Sequence, residues 1–318
     1  MSTTFSPESI LKDLSKLWTQ LADDKSAENT SGVIRACTMT FITAMDGEED
    51  SQDINEIVAE LMHGNPSRVL LLRVLRNGTT SGNIAARVQA QCWLPFGQRQ
   101  QICCEQIEIE SPISLLSDVP KLILSLAAAD LPVVLYVRSP RLVADRGFQD
   151  FFSLAHKVVI DSEKFADPAA GSAFVRSAYQ LGWNVADLAW TRLTGLRQLI
   201  SQLCGSDGRR TRVPEIKAVR VLYAPPVSLI AAQYLGSWFR AVLPEAEVVV
   251  ASGNQTTVML AGPELSISLN GGDTAVIQKT NDYTSSASLP RLNEKELLRE
   301  ELSLIGPDPI FRRCLKIQ

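Results

Sequence analysis

The sequence has little histidine and few aromatic residues. Only two histidines, His63 and His156, occur among 318 residues. This leaves little material for an imidazole-based metal site or for a nucleophile activated by a histidine base. Aromatic residues make up 6% of the chain, so aliphatic side chains must fill most of the core. Hydrophobic residues at 45% and charged residues at 21% are typical of a globular protein.

Long runs of like charge and long apolar runs are also missing. The formal net charge is -4 and no extended basic block occurs, which argues against a dedicated nucleic-acid binder. The most apolar stretch, 122–137, contains Asp130 and Pro132 and is shorter than the roughly 20 residues of a membrane span. The start of the chain lacks the basic and apolar segments of a secretory signal. We therefore expect a cytoplasmic protein with no nucleic-acid or membrane partner.

The common cofactor and catalytic motifs are absent. No GxGxxG follows a strand, and GxxxxGK[ST], GxSxG and HExxH do not occur. We therefore expect no bound cofactor and no enzymatic activity, although a site built on Asp, Glu, Lys or Tyr would leave only a weak trace in a sequence.

The cysteines form no CxxC pair, so reduced thiols are expected. Cys103 and Cys104 lie in an alternating segment, where their side chains point to opposite faces and a bond between them would strain the backbone. One is expected to be a buried core thiol. Which cysteine, if any, has a redox role is left open; the six are Cys37, Cys92, Cys103, Cys104, Cys204 and Cys314.

Hydrophobic periodicity predicts an α/β protein of two domains with mixed sheets, residues 1–165 and 166–318. The sequence FADPAAG (165–171) interrupts the pattern between them. In the first domain, segments 84–94 and 98–109 have the alternation of a hairpin. In the second, strand, helix and strand within 216–251 form a βαβ-like unit, followed by a β-meander.

Two segments stand out as candidate sites. In the first, HGNPSR (63–68), Gly64 suits the end of a helix and Pro66 turns the chain. Ser67 and Arg68 then lie at a strand entrance, where they could meet a carboxylate or phosphate. An equally good interpretation is a helix-stop loop in which Arg68 forms a local salt bridge.

The second segment is DLAWTRLTGLRQLISQL (187–203). As a single helix it places Arg192 inside the apolar arc, where the guanidinium needs a partner, and Trp190 outside that arc next to Arg197. Trp190 would then contact another domain or another chain.

A break in this helix is the alternative. Thr194 would cap a new helix, since Gly195 disfavours a helix interior. Whether the helix is continuous or broken, a purely structural interpretation is that Asp187 and Arg192 form an internal clamp that joins two domains and is covered by Trp190.

Three segments together resemble a known family. HGNPSRVLLL (63–72), ADLPVVLY (129–136) and DLAWTRLTGLRQLI (187–200) resemble, in order and spacing, the OpcA family of glucose-6-phosphate dehydrogenase assembly proteins. The resemblance spans about residues 33 to 305. Two departures occur: Gly64-Asn65 is inserted after His63, and Gly195 stands where many relatives have proline. Pro66, Ser67 and Arg68 still match.

The resemblance implies a two-part α/β protein that is a non-catalytic effector. It would associate with glucose-6-phosphate dehydrogenase, promote the active oligomer and support the oxidative pentose phosphate pathway. Its partner-binding or domain-clamp residues would be Asp187, Trp190, Thr191, Arg192, Pro66, Ser67 and Arg68. A sensor or enzyme for a small phosphorylated ligand, using Arg68, Arg192 or the basic loop 209–212, is the alternative.

Overall fold

The structure is a computed structural model of the chain. It describes residues 6–23, 33–47, 51–76, 82–97, 99–205, 213, 215–225, 227–261, 265–270, 274–279 and 283–317. The basic loop 209–212 lies outside these residues. No helix in the described ranges is long and apolar enough to span a bilayer.

The chain divides into two compact units. Unit 1 comprises Met1–Ile160, Trp183–Val185 and Glu294–Gly306, and unit 2 comprises Asp161–Gly182, Ala186–Asn293 and Pro307–Gln318. Unit 1 thus takes in two short segments from the later part of the chain. The domain division predicted at residue 165 separates two continuous stretches of sequence, whereas these units are discontinuous. That division therefore stays a prediction.

Unit 1 contains most of a mixed sheet. Its order is β1-β5-β3-β2-β6-β7-β8, and β4, which lies off this path, also pairs with β5. The strand pairs with a defined register are parallel, except for β4 and β5, which are antiparallel. The strands are β1 (Val33–Arg35), β2 (Met39–Asp46), β3 (Ser67–Leu75), β4 (Ala85–Trp93), β5 (Gln101–Pro112), β6 (Val133–Val137), β7 (Lys157–Ile160) and β8 (Val185–Asp187).

The central strands of this sheet are buried along their whole length. Every residue of β2 and β6 is buried, as expected for parallel strands covered on both faces. The helices of unit 1 are α1 (Pro7–Asp23), α2 (Ser51–Met62), α3 (Val119–Leu126), α4 (Gln149–Leu154) and α9 (Glu294–Leu302). The α/β class predicted from the sequence is therefore confirmed.

Helix α9 is fixed in unit 1 by buried charges. Glu294 accepts hydrogen bonds from the Tyr136 hydroxyl and from Arg138 Nε, both at 2.9 Å. The Lys157 ammonium, only 3% exposed, lies 2.6 Å from the Glu301 carboxylate and also donates to backbone carbonyls. Because an unpaired buried charge is costly, these pairs determine where this late helix packs.

Unit 2 contains the second sheet, in the order β10-β9-β11-β12-β13-β14. Strands β9 and β10 are parallel and joined through α8, which confirms the predicted βαβ-like unit, and the remaining pairs are antiparallel. The strands are β9 (Ala218–Tyr223), β10 (Glu247–Ser252), β11 (Thr257–Ala261), β12 (Leu265–Asn270), β13 (Thr274–Lys279) and β14 (Tyr283–Ser288). The helices are α5 (Pro168–Gln180), α6 (Leu188–Thr191), α7 (Thr194–Gly205), α8 (Leu229–Val242) and α10 (Pro309–Leu315).

The structure corrects the expectation that the cysteines are reduced. Cys92 and Cys103 lie opposite each other in the β4–β5 pair and form a disulfide. Cys103 and Cys104 are both fully buried. Strand β5 is covered on both faces at this point. Cys37, Cys104, Cys204 and Cys314 take no part in this disulfide.

A thiol titration tests this disulfide. We expect the denatured, unreduced chain to react as four thiols, because Cys92 and Cys103 are bonded to each other and the other four cysteines are not in this disulfide. After reduction all six cysteines should react. Six reactive thiols before reduction, in a sample kept from reductant, would contradict the pairing. A Cys92→Ser variant should show one additional free thiol, at Cys103.

Candidate functional site

The segment 187–192 lies entirely in unit 2, where its side chains form a connected cluster. We call this set, with the groups it contacts, the 187–192 cluster. It begins at Asp187, the last residue of β8, which caps the N-terminus of α6 by accepting from the Ala189 amide at 3.0 Å. Helix α6 is a single turn ending at Thr191, and α7 starts at Thr194. The alternative with a helix break is therefore confirmed.

Asp187 is a fully buried carboxylate with several donors. Besides the Ala189 amide, the Ser162 amide donates to Oδ1 at 3.0 Å and the Tyr234 hydroxyl donates to Oδ2 at 2.6 Å. Burial raises the pKa of Asp187 from 3.8 to about 6, even though the Ser162, Tyr234 and Ala189 bonds act in the opposite direction. The pKa of Tyr234 is raised as well, through burial and through the nearby Asp187 charge.

Arg192 pairs with two carboxylates that come from the turn after β7. Its two terminal nitrogens contact Asp161 at 2.8 and 2.6 Å, and Nη1 lies 2.9 Å from Glu163. This is the bidentate geometry for which a guanidinium is suited. Burial lowers the pKa of Arg192, but the bonds and charges of these carboxylates raise it by more, so the side chain stays charged.

Trp190 is buried against α10. It is 2% exposed, and its indole N–H donates to Asp308 at 2.8 Å. The ring stacks on Phe311 at 5.1 Å, and the Arg197 guanidinium lies 3.5 Å from the ring centroid. Asp308 also caps α10 through the amide of Phe311. The indole thus joins α6 to α10.

These contacts correct three expectations and confirm one. The outward position predicted for Trp190 is wrong, because the break after Thr191 ends the helical phase on which that prediction depended. The direct Asp187–Arg192 clamp is also wrong, since the two side chains have different partners. The placement of Arg192 inside the apolar arc is wrong as well, because 32% of its side chain is exposed, although it does pair with carboxylates. The proximity of Trp190 to Arg197 is confirmed. Thr191 is buried, and its hydroxyl donates to the Asp187 carbonyl at 3.1 Å.

The segment 66–68 lies in unit 1 at the entrance of β3. The Pro66 carbonyl accepts from the Thr38 amide at 2.7 Å, and the buried Ser67 hydroxyl donates to the Asn65 carbonyl at 2.7 Å. Arg68 donates to Glu105 at 2.6 Å and to the Leu126 carbonyl at 2.6 Å. This geometry is that of the local salt bridge.

Glu105 is the central residue of this second cluster, and it was not identified from the sequence. Its carboxylate, only 4% exposed, contacts Arg68, Arg35 and the Trp18 indole N–H at 2.6, 2.5 and 2.5 Å. Asp161, Glu163, Tyr234 and Asp308 were missed in the same way. For Asp308 a signal existed, because Asp308-Pro309 is an N-cap followed by proline in the first helical turn.

The charged groups of both clusters are paired within the protein, whereas the buried Ser162 hydroxyl makes no hydrogen bond within the described part of the chain. Among the described residues no group of three or more His, Cys, Asp or Glu side chains is arranged to hold a metal ion. The two clusters resemble anchoring networks, with carboxylates directed at arginines, amides and ring N–H groups.

Fold and cluster together define a two-unit α/β protein stabilised by buried charged networks. The model of the glucose-6-phosphate dehydrogenase subunit N-terminal domain matches residues 58–177, and that of the corresponding C-terminal domain matches residues 183–315. The chain therefore belongs to the OpcA family of glucose-6-phosphate dehydrogenase assembly proteins.

Two curated relatives carry the name OxPP cycle protein OpcA. The protein of Nostoc punctiforme is 27% identical over 57% of this chain and 38% of its own length. That of Synechocystis is 27% identical over 54% of this chain and 36% of its own. The matched region thus spans little more than a third of each relative.

Two solved structures show a distant likeness to this chain. A dehydrogenase from Chromobacterium violaceum is 8% identical over 91% of this chain and 93% of its own, with a TM-score of 0.42. A Gfo/Idh/MocA family oxidoreductase from Vibrio cholerae is 10% identical over 88% of this chain and 94% of its own, with a TM-score of 0.37. Likenesses at this level support no conclusion about activity.

The raised pKa of Asp187 generates a pH prediction. Between pH 3.8 and about 6 the folded protein keeps a proton that the unfolded chain has lost. The contribution of Asp187 to the free energy of unfolding therefore falls as the pH rises through this window, by about 3 kcal/mol at most. Asparagine does not ionise, so the Asp187→Asn variant should gain stability relative to the parent chain as the pH rises.

Urea unfolding of both proteins across this pH window measures the difference. The matched control is Asp150→Asn on α4, which changes an exposed carboxylate. Unfolding free energies of parent and Asp187→Asn that run parallel across the window would contradict a buried carboxylate with a raised pKa.

Proposed function

We propose that this chain binds a glucose-6-phosphate dehydrogenase and promotes its active oligomer without catalysing a reaction itself. The observation that carries the proposal is the pair of consecutive family matches, over 58–177 and 183–315. They cover most of the chain, and both descriptions name a subunit of that dehydrogenase. The proposed compartment is the cytoplasm, and no cofactor is required.

The proposed mechanism is a shift of population. A protein that binds the active oligomer more tightly than the inactive form raises the active fraction by that difference in affinity. Such an effector needs a well-defined surface in place of a catalytic centre. A two-unit protein stabilised by buried charged networks suits this role, because those networks hold its surface elements in one arrangement.

Within this function, we assign the 187–192 cluster the role of a clamp inside unit 2. Asp187, Trp190 and Thr191 are buried, so they position other groups and do not themselves meet a partner. Arg192, with 32% of its side chain exposed, is the member that a partner can reach. In unit 1, Pro66, Ser67 and Arg68 have the corresponding bracing role at the entrance of β3.

The direct test combines the purified chain with the dehydrogenase of the same organism. We expect the dehydrogenase to shift to a larger assembly in sedimentation analysis and its turnover to rise with the concentration of this chain. The chain alone should not oxidise glucose 6-phosphate. Association without any change in turnover would reduce the role to a passive scaffold, and no association would contradict the proposal.

Variants separate the clamp from a contact. Trp190→Ala should lower the free energy of unfolding by about 3–5 kcal/mol, since a buried ring is removed. Arg192→Ala should cost a similar amount because Asp161 is left buried and unpaired. Activation should fall only as far as each variant loses folded protein. The matched control is Arg87→Ala, which removes an arginine that is 72% exposed.

The opposite pattern would contradict the clamp. If Trp190→Ala were as stable as the parent and yet failed to activate the dehydrogenase, the indole would have to act through direct contact. Trp190→Phe, which keeps a ring to stack on Phe311 but loses the bond to Asp308, should lie between the parent and Trp190→Ala in stability.

A further inference from the structure

Unit 2 contains a cavity of about 290 Å³ that none of the contacts described so far uses. It lies along one face of α8, beside α5 and β10. Two of its residues are arginines, two carry amide or hydroxyl groups, and two are aliphatic. Its lining is Arg176, Gln233, Ser237, Arg240, Val250 and Ile317.

The regular geometry of α8 brings three polar groups into this cavity. Gln233, Ser237 and Arg240 follow one another at spacings of four and three residues, which places them on the same helical face. The helix can lie close to β10 because Gly236 has no side chain: a Cβ there would be 2.5 Å from a Val250 methyl carbon. This close approach forms the apolar wall of the cavity.

The two arginines have no carboxylate partner among the described residues. Arg176 donates to the Ser172 hydroxyl at 3.4 Å, and Arg240 donates to the Val248 carbonyl at 3.1 Å. By contrast, the guanidiniums of Arg138 and Arg192 are each paired with two carboxylates. Most N–H donors of Arg176 and Arg240 are therefore available to a ligand, in a chain whose net charge is negative.

The lining of the cavity also supplies a neutral donor. Ser237 is only 1% exposed and lines the cavity on the same face of α8 as Arg240. Its hydroxyl can donate one hydrogen bond to a bound acceptor. Gln233 and Arg240, at the outer side, are exposed, so the cavity is open to solvent.

We propose that this cavity binds a small oxyanion metabolite, a phosphorylated or polycarboxylate compound, with its charged group between Arg176 and Arg240. Guanidiniums bind phosphate and carboxylate through paired N–H donors, and Ser237 and Gln233 complete the set. Val250 and Ile317 would contact the carbon skeleton of the ligand. The volume lies just below the roughly 300–1,000 Å³ of typical ligand pockets, which suits a small metabolite rather than a segment of protein. The site does not depend on the proposed function.

Binding of inorganic phosphate and of citrate to the full chain tests the proposal. Calorimetric titration at constant ionic strength, with chloride as the reference salt, should show saturable binding of at least one of them at millimolar ligand or below. The same ligand should raise the thermal unfolding temperature. A preference for phosphate identifies a phosphorylated ligand, and a preference for citrate identifies a polycarboxylate.

Variants assign the binding to the cavity. Arg176→Gln and Arg240→Gln should each weaken the affinity by about 10-fold or more, because a charge-assisted bond is lost. Ser237→Ala, which suits a helix interior, should weaken it by a smaller factor without disturbing the fold. Arg87→Gln in unit 1 is the matched control and should bind as the parent does.

Two results would overturn the proposal. One is the absence of saturable binding of either anion to the parent chain. The other is equal affinity in the parent, Ser237→Ala and whichever arginine variants fold. In both cases, activation of the dehydrogenase could still be found, so failure of this site is distinguishable from failure of the proposed function.

Discussion

A carboxylate with no exposed surface, that of Asp187, is the constraint on which unit 2 depends. A buried carboxylate is costly unless donors surround it. Here the donors come from the turn after β7, from the first turn of α6 and from α8. Each of these elements is therefore held at hydrogen-bond distance from one side chain, and the raised pKa of Asp187 shows that burial still outweighs the donors.

The neighbouring residues extend this constraint outward. Arg192 fixes the same turn through Asp161 and Glu163, and Trp190 fixes α10 through Asp308 and Phe311. In unit 1, Glu105 gathers Arg35, Arg68 and Trp18 in the same manner. In both units the segments that resemble the family therefore belong to internal frameworks. A family marker is thus not automatically an interface.

Much of the architecture could be predicted from periodicity. The βαβ-like unit, the β4–β5 hairpin and the α/β class all follow from local hydrophobic patterns. The side of Trp190 could not be predicted, because a break of two residues resets the helical phase. Glu163 and Asp308 lie far from Trp190 and Arg192 in sequence, and no local pattern indicates long-range pairs of this kind.

The disulfide shows the same limit. The hairpin pattern predicted that the two strands are neighbours. Cys92 lies opposite Cys103 in only one register of this strand pair, and a shift by one residue would move every side chain to the other face. The start of helix α10 is a different case, because an aspartate N-cap followed by proline at Asp308-Pro309 is a local sequence signal for a helix N-terminus. The cavity of unit 2 is lined by α5, α8, β10 and Ile317, so only the folded chain brings its arginines together.

Hydrogen exchange of the chain alone and in complex with the dehydrogenase tests the central claim most directly. If the 187–192 cluster is an internal clamp, the Ser162 and Ala189 amides, which bond to Asp187, exchange slowly in the free chain and change little on binding. New protection should then appear at exposed elements elsewhere. Fast exchange of these two amides in the free chain, with protection gained only in the complex, would contradict the claim.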